Sequence, residues 1–215
     1  MESSISNVLG LTLLLLGSRG VTPVLVAQPV QPAPRITVRL FNYTNAAEKP
    51  LHEAKEIASG VFEEIAVELT WLDCSPGHER LDSSCQHQPT ATAINLRLAD
   101  ESADPDIFEC GLAVPAPPGG FSKHAIVFRE CVAKLGVLED STRVAVLGHM
   151  FAHEIGHLLL GLGSHSAKGI MKYPWGHREI ELADKGWLRF SARQGERIRD
   201  GVRRRIRAET DSSHD

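Results

Sequence analysis

Residues 144–160 read VAVLGHMFAHEIGHLLL, and this stretch decides the fold of the chain. Its apolar residues recur every three or four positions, which predicts one long amphipathic helix. The histidines at 153 and 157 are four residues apart, so they share a face one turn from each other. Ile155 lies roughly 160° around the helix axis from His153. We therefore expect one side of the helix to pack in the core and the other to present two imidazoles to a cleft.

Residues 153–157, His-Glu-Ile-Gly-His, form an HExxH motif. Two imidazole nitrogens at this spacing can hold one Zn²⁺, and Glu154 is placed to reach a zinc-bound water. A site that keeps one position open for water needs a third protein ligand. His165 is the nearest candidate, because the glycines at 161 and 163 can end the helix and let the chain turn back.

His149 occupies the same predicted face one turn earlier, but Met150 follows it where a glutamate would be needed. We expect His149 to lie behind the ligands or at the surface, and not to bind the metal.

The HExxH motif, the glycine turn, the third histidine and the segment Gly169-Ile170-Met171 together resemble the metzincin clan of zinc peptidases. The resemblance implies that Met171 is the methionine of a Met-turn beneath the metal. It also implies that Tyr173, two residues later, stabilises the transition state, as a tyrosine at this offset does in astacin-like members. The segment Leu112-Ala113, with Pro-Pro-Gly at 117–119, resembles the substrate-side edge strand of matrixins.

The spacing departs from the usual metzincin pattern at one point. The third histidine of that pattern follows the second by six residues, whereas His165 comes two residues later than that. A carboxylate from the next helix, Glu179 or Glu181, is the alternative third ligand, as in gluzincin peptidases. The Met-turn-like segment favours His165.

The order of elements predicts an α+β fold of the metzincin-like zincin type: a small, mixed, twisted sheet packed on the active-site helix, with a C-terminal helix after the Met-turn. A strand, a helix and a strand at the start predict a parallel pair with a crossover helix. The predicted strands are 35–41, 67–72, 93–98, 111–114 and 125–128, and the main helices are 50–66, 140–162 and 191–207.

The N-terminus predicts export. Residues 8–16 are an apolar run too short to span a bilayer, and we interpret residues 1–27 as a cleaved signal peptide. The first residues include Glu2 and neither Lys nor Arg, so a retained anchor is the alternative. We then expect a Pro-rich linker at 28–34, the catalytic domain at 35–207 and a disordered tail at 208–215.

The four cysteines can form disulfide bonds if the chain is exported. In an oxidising compartment the pairings of nearest neighbours are Cys74–Cys85 and Cys110–Cys131. Four cysteines allow three connectivities, so this is a preference. The alternative is four reduced thiols in a cytosolic protein.

Charge excludes some functions. The 215 residues carry a net charge of −4, so no global field favours nucleic acid. Eight arginines between Arg189 and Arg207 predict a solvated helix face rather than a surface for nucleic acid or anionic lipid. A loop with four acidic residues is interpreted as solvated rather than as a Ca²⁺ site, because it lacks an EF-hand pattern; the four are Asp100, Glu101, Asp104 and Asp106.

These patterns predict a secreted or periplasmic zinc endopeptidase. His153, His157 and His165 would hold Zn²⁺, and Glu154 would activate the zinc-bound water that attacks a protein or peptide substrate. No nucleic-acid partner and no stable membrane insertion after signal removal are expected, and the sequence does not indicate an oligomeric state. The alternatives are an extracellular binding module that zinc stabilises without catalysis, and a scaffold whose histidines are incidental.

Overall fold

The computed structural model describes residues 32–77, 82–101, 110–135, 139–161 and 163–212. From Pro32 onward the chain forms one compact unit. The predicted signal peptide at 1–27 lies outside the described residues, as do Asp104 and Asp106 of the acidic loop. Asp100, in the same loop, accepts a 2.7 Å hydrogen bond from Nε of Arg129.

The strands form one five-stranded mixed sheet. Its spatial order is β2-β1-β3-β5-β4. Strand β1 runs parallel to β2 and β3, β5 runs parallel to β3, and only β4 is antiparallel to its neighbour β5. The strands are β1 Arg35–Asn42, β2 Glu68–Asp73, β3 Ala93–Ala99, β4 Gly111–Ala113 and β5 His124–Phe128. The predicted parallel pair of the first two strands is confirmed.

The described part of the chain has five α-helices: α1 Glu48–Glu63, α2 Arg129–Leu135, α3 Asp140–Leu160, α4 His177–Asp184 and α5 Ala192–Ser212. Helix α1 is the crossover between β1 and β2. It ends at Glu63 rather than at the predicted Ala66, because the chain turns there and Ala66 adopts φ +53°.

Helix α3 is the centre of the molecule. It contacts the other four helices and the strands β4 and β5, and every residue from Ala145 to Leu159 is buried. Gly148 lets it approach α1 closely, since a Cβ there would lie 2.7 Å from the carbonyl oxygen of Ala54. The predicted mixed sheet packed on the motif-bearing helix is confirmed.

Helix α5 is longer than predicted, and one of its arginines is buried rather than solvated. It continues to Ser212, so the tail predicted from residue 208 is wrong for 208–212; Glu209, within that stretch, accepts a 3.0 Å hydrogen bond from the backbone N–H of Thr92. Arg205 is not on a solvated face. Its guanidinium is buried and donates to the carbonyl oxygens of Ala91, Ser122 and Leu158.

Both predicted disulfides are present. Cys74 is bridged to Cys85, and Cys110 is bridged to Cys131. The first bridge follows β2 at one edge of the sheet, and the second joins the start of β4, at the opposite edge, to α2. None of the described helices is long and apolar enough to span a membrane.

Candidate metal centre

Three imidazoles converge at the C-terminal half of α3. The Nε2 atom of His157 lies 3.0 Å from Nε2 of His153 and 3.1 Å from Nε2 of His165. In the described residues, this is the only group of three or more metal-ligating side chains whose ligand atoms lie within 4.8 Å of one another. The structure therefore brings together the three histidines that the sequence predicts.

His153 is oriented from behind by the Met-turn. Its Nδ1 donates a 2.7 Å hydrogen bond to the carbonyl oxygen of Ile170, which leaves a lone pair on Nε2 facing the other rings. Burial lowers the pKa of His153 to about 4. The ring is thus neutral at neutral pH, which is the form that binds a metal.

His157 is held by the loop that follows the helix. Its Nδ1 lies 3.0 Å from Oγ of Ser164, directly before the third histidine. Burial, together with the two neighbouring imidazoles, lowers the pKa of His157 to about 3.

Two glycines let this loop reverse direction. Gly161, with φ +94°, ends α3, and Gly163, with φ +69°, begins the return. The two additional residues relative to the usual metzincin spacing are accommodated in this turn, because His165 still reaches the other two rings.

The segment after His165 packs against α3 and against the ring of His153. Met171 is fully buried, and its Sδ lies against Gly156 of α3, where a Cβ would come within 2.8 Å of the sulfur. Trp175 meets the ring of His153 edge to face at 5.7 Å and donates from Nε1 to the carbonyl oxygen of Ile170. Met171 thus packs against α3 within the HExxH motif, and its place beneath the metal stays a prediction from the resemblance.

The donor set fits zinc. Nitrogens that share a tetrahedral zinc at ~2.0–2.1 Å lie about 3.3 Å apart, close to the 3.0 and 3.1 Å separations observed. Neutral imidazoles with an outer hydrogen-bond partner are typical zinc ligands. Three imidazole ligands would leave a fourth coordination position open.

Glu154 lies beside this group without joining it. Its side chain is 4% exposed, and its Oε1 lies 4.0 Å from Nε2 of His153. A carboxylate at this distance is positioned to contact a molecule held at the imidazoles.

The imidazoles open onto a cleft of about 250 Å³. Tyr173 stands at its rim, 46% exposed, with its ring stacked on that of His165 at 4.9 Å and 13°. The edge strand β4 forms another wall, so the segment predicted to be on the substrate side does border the site. Other lining residues are Cys110, Leu112, Cys131, Met150 and Trp175.

The alternative carboxylate ligands lie elsewhere. Glu179 accepts hydrogen bonds from Lys172 at 2.6 Å and from the backbone N–H of Gly176 at 3.0 Å, and these contacts hold the pKa of Glu179 below its usual value although burial opposes them. Glu181 pairs with Lys185 at 2.6 Å. Neither belongs to the imidazole group.

His149 is fully buried, so the prediction that allowed it at the surface is wrong in that respect. Its Nδ1 donates to the carbonyl oxygen of Ala145 at 2.7 Å. It does not belong to the imidazole group.

Three contributors to the site are not indicated by the sequence motifs: the hydroxyl of Ser164, the carbonyl of Ile170 and the bare backbone of Gly111 beside Glu154. Only Ser164 could have been identified from the sequence. It directly precedes the candidate ligand His165, so its hydroxyl can reach the ring of a second ligand and orient that ring. A backbone carbonyl has no sequence signature.

Comparison with known proteins supports the fold. No protein-family model and no curated protein sequence matches the chain. The crystal structure of archaemetzincin from Methanopyrus kandleri matches with a TM-score of 0.51 and 17% identity, covering 81% of this chain and 99% of that one. A zinc-dependent peptidase from Methanocorpusculum labreanum matches with a TM-score of 0.52 and 19% identity, covering 75% and 99%. Together with the histidine triad, these matches confirm a metzincin-like fold for this chain.

Proposed function

We propose that this chain is a secreted zinc metallopeptidase whose catalytic domain begins at Arg35. The observation that carries the proposal is the convergence of three imidazoles beside a buried glutamate on a metzincin-like fold. His153, His157 and His165 would hold the metal. The similar protein from Methanocorpusculum labreanum is a zinc-dependent peptidase, which is consistent with this chemistry.

When bound, zinc supplies a Lewis acid that lowers the pKa of a coordinated water and polarises a substrate carbonyl. Glu154 accepts the proton of the attacking water and delivers it to the leaving amine. The hydroxyl of Tyr173, at the rim of the same cleft, donates a hydrogen bond to the carbonyl oxygen as negative charge develops there.

The substrate would bind as an added strand. Strand β4 is the last strand of the sheet, so its outer edge has no strand beside it among the described residues. An extended peptide that pairs with this edge would lie along the cleft wall. A protein or peptide substrate is therefore the class we infer.

Export is part of the proposal. Two disulfides favour an oxidising compartment over the cytosol. The expected route is cleavage of residues 1–27, and the N-terminus of protein recovered outside the cytoplasm, read by mass spectrometry, tests it. A start at residue 1 would favour a retained anchor instead.

The decisive experiment compares the parent protein with Glu154→Gln. Glutamine keeps the size of the side chain but cannot accept the proton, so cleavage of a mixed peptide library should fall by ~10²–10⁴-fold. The zinc content of the purified protein, measured by elemental analysis, should stay at one per chain. Equal cleavage by both proteins would contradict the mechanism. One bound zinc and no cleavage by either would favour the binding module.

A further inference from the structure

Gly111, the first residue of β4, has its Cα packed against the side chain of Glu154. A Cβ built at this position would lie 2.7 Å from Cγ of Glu154 and closer still to Cδ and Oε1, so only a hydrogen atom fits. The backbone itself does not require glycine here, since Gly111 is not among the residues with positive φ. The next residue on the same face, Ala113, carries a Cβ and is buried. Position 111 therefore needs glycine only because the Glu154 carboxylate lies against it.

The strand is fixed on both sides of this contact. The carbonyl of Cys110 accepts from the N–H of Phe128 at 2.8 Å, and the N–H of Val114 donates to the carbonyl of His124 at 2.8 Å. Gly111 is in register with Val127 of β5. The bridge from Cys110 to α2 adds a covalent anchor one residue before the contact.

Glu154 has little freedom of its own. Its side chain is buried on α3, with Oε1 directly against the Cβ position of residue 111 and 4.0 Å from Nε2 of His153. Any atom added at position 111 would thus displace the end of the Glu154 side chain rather than the paired strand.

From this geometry we infer that Gly111 is a positioning residue for Glu154. The bare backbone of β4, anchored by the Cys110–Cys131 bridge, sets where the Glu154 carboxylate stands relative to the metal site. The inference rests on the proposed peptidase function, because it assigns the residue that aims the general base of that reaction. A misplacement of about 1 Å in a catalytic group can cost 10²-fold in rate.

The first test is Gly111→Ala with Gly60→Ala as the matched control. Gly60 lies within α1, and a Cβ there meets nothing within 4 Å. We expect Gly111→Ala to keep one zinc per chain and a KM close to the parent value, while kcat falls about 10- to 100-fold. Gly60→Ala should keep the parent kcat. A parent-like kcat for Gly111→Ala would overturn the inference.

A double-mutant cycle separates positioning from general damage. Glu154→Asp shortens the side chain by one methylene and makes room for a Cβ at position 111. Adding Gly111→Ala in the Glu154→Asp background should therefore lower kcat by much less than it does in the parent. Equal penalties in the two backgrounds would overturn the inference.

If Gly111→Ala fails to fold, the bridge provides the test. The double substitution Cys110→Ser with Cys131→Ser should lower kcat several-fold, because it loosens the strand beside Glu154. Cys74→Ser with Cys85→Ser removes the bridge at the far edge of the sheet and should leave kcat unchanged; equal effects of the two pairs would overturn the inference. Failure of the parent protein to cleave any peptide would instead refute the proposed function.

Discussion

Two consecutive turns of α3 carry histidines that are alike in almost every local respect. His149 and His153 are both buried, and both donate from Nδ1 to a backbone carbonyl at 2.7 Å. Burial lowers the pKa of each to about 4. Yet only His153 belongs to the imidazole group; among the described residues, His149 is part of no cluster of three metal-ligating side chains.

The difference between the two turns comes from other parts of the chain. The carbonyl that His149 binds belongs to Ala145 of the same helix, whereas His153 binds that of Ile170 in the Met-turn. The loop that contains Ile170 also delivers His165. The candidate metal site therefore forms at the turn of α3 that the loop with His165 and Ile170 contacts. A buried histidine elsewhere on the helix is not sufficient.

The largest expected effect is that of replacing His153 by leucine, with the same replacement of His149 as the control. His153→Leu should reduce zinc affinity by more than ~100-fold, since loss of only an outer hydrogen-bond partner already costs 10–100-fold, and it should abolish peptide cleavage. His149→Leu should keep one zinc per chain and most of the activity. Elemental analysis after dialysis and a peptide assay measure both. Equal zinc loss in the two variants would show that the turns are equivalent.

The second prediction concerns the loop that distinguishes the turns. Gly169 adopts φ +79°, and a Cβ there would lie 2.8 Å from the carbonyl oxygen of Arg189. Gly169→Ala should lower the free energy of unfolding by about 3 kcal/mol, from backbone strain and the collision together. It should also weaken zinc binding, because Ile170 next to it orients His153.

Gly186→Ala is the control for that variant. Gly186 adopts φ +67° with nothing within 4 Å of a Cβ, so its substitution should cost about 1 kcal/mol by strain alone and leave zinc binding unchanged. Denaturant titrations and zinc competition measure the two quantities. Equal losses of stability would mean that the contact with Arg189 contributes nothing.

The sequence predicts the main helix, the strands and the three metal-ligand histidines of this protein. Periodicity locates α3 and the strands, because burial on one face leaves a repeating pattern along the chain. The HExxH spacing selects His153 over His149, because Glu154 follows only the former. His165 follows from the glycines that let the chain return. All of these signals are local in sequence.

Contacts between distant segments could not be predicted in the same way. The contact of Gly111 with Glu154 depends on how β4 packs on α3, and no residue spacing encodes it. The burial of Arg205 is a similar case: seven other arginines near it give the segment a solvated pattern, but the carbonyls that Arg205 binds come from three separate segments.

The smallest expected effect is the pH dependence that His149 contributes to stability. Its pKa is about 4 in the folded protein against 6.5 as the reference value, because burial disfavours the charged ring. The unfolded chain thus binds the His149 proton more tightly than the folded protein does. The free energy of unfolding is therefore highest above pH 6.5, where His149 is neutral in both states, and it decreases as the pH falls toward 4. Between pH 7 and pH 5.5 the loss should be about 1 kcal/mol.

The measurement uses zinc-free protein, in which denaturant titrations at several pH values compare the parent with His149→Leu. Leucine does not titrate, so the stability of the variant should fall less steeply with acid, by the contribution of one histidine. Parallel slopes would mean that the His149 proton equilibrium is the same in the folded and unfolded states. In that case the two turns of α3 would differ in electrostatics as well as in their partners.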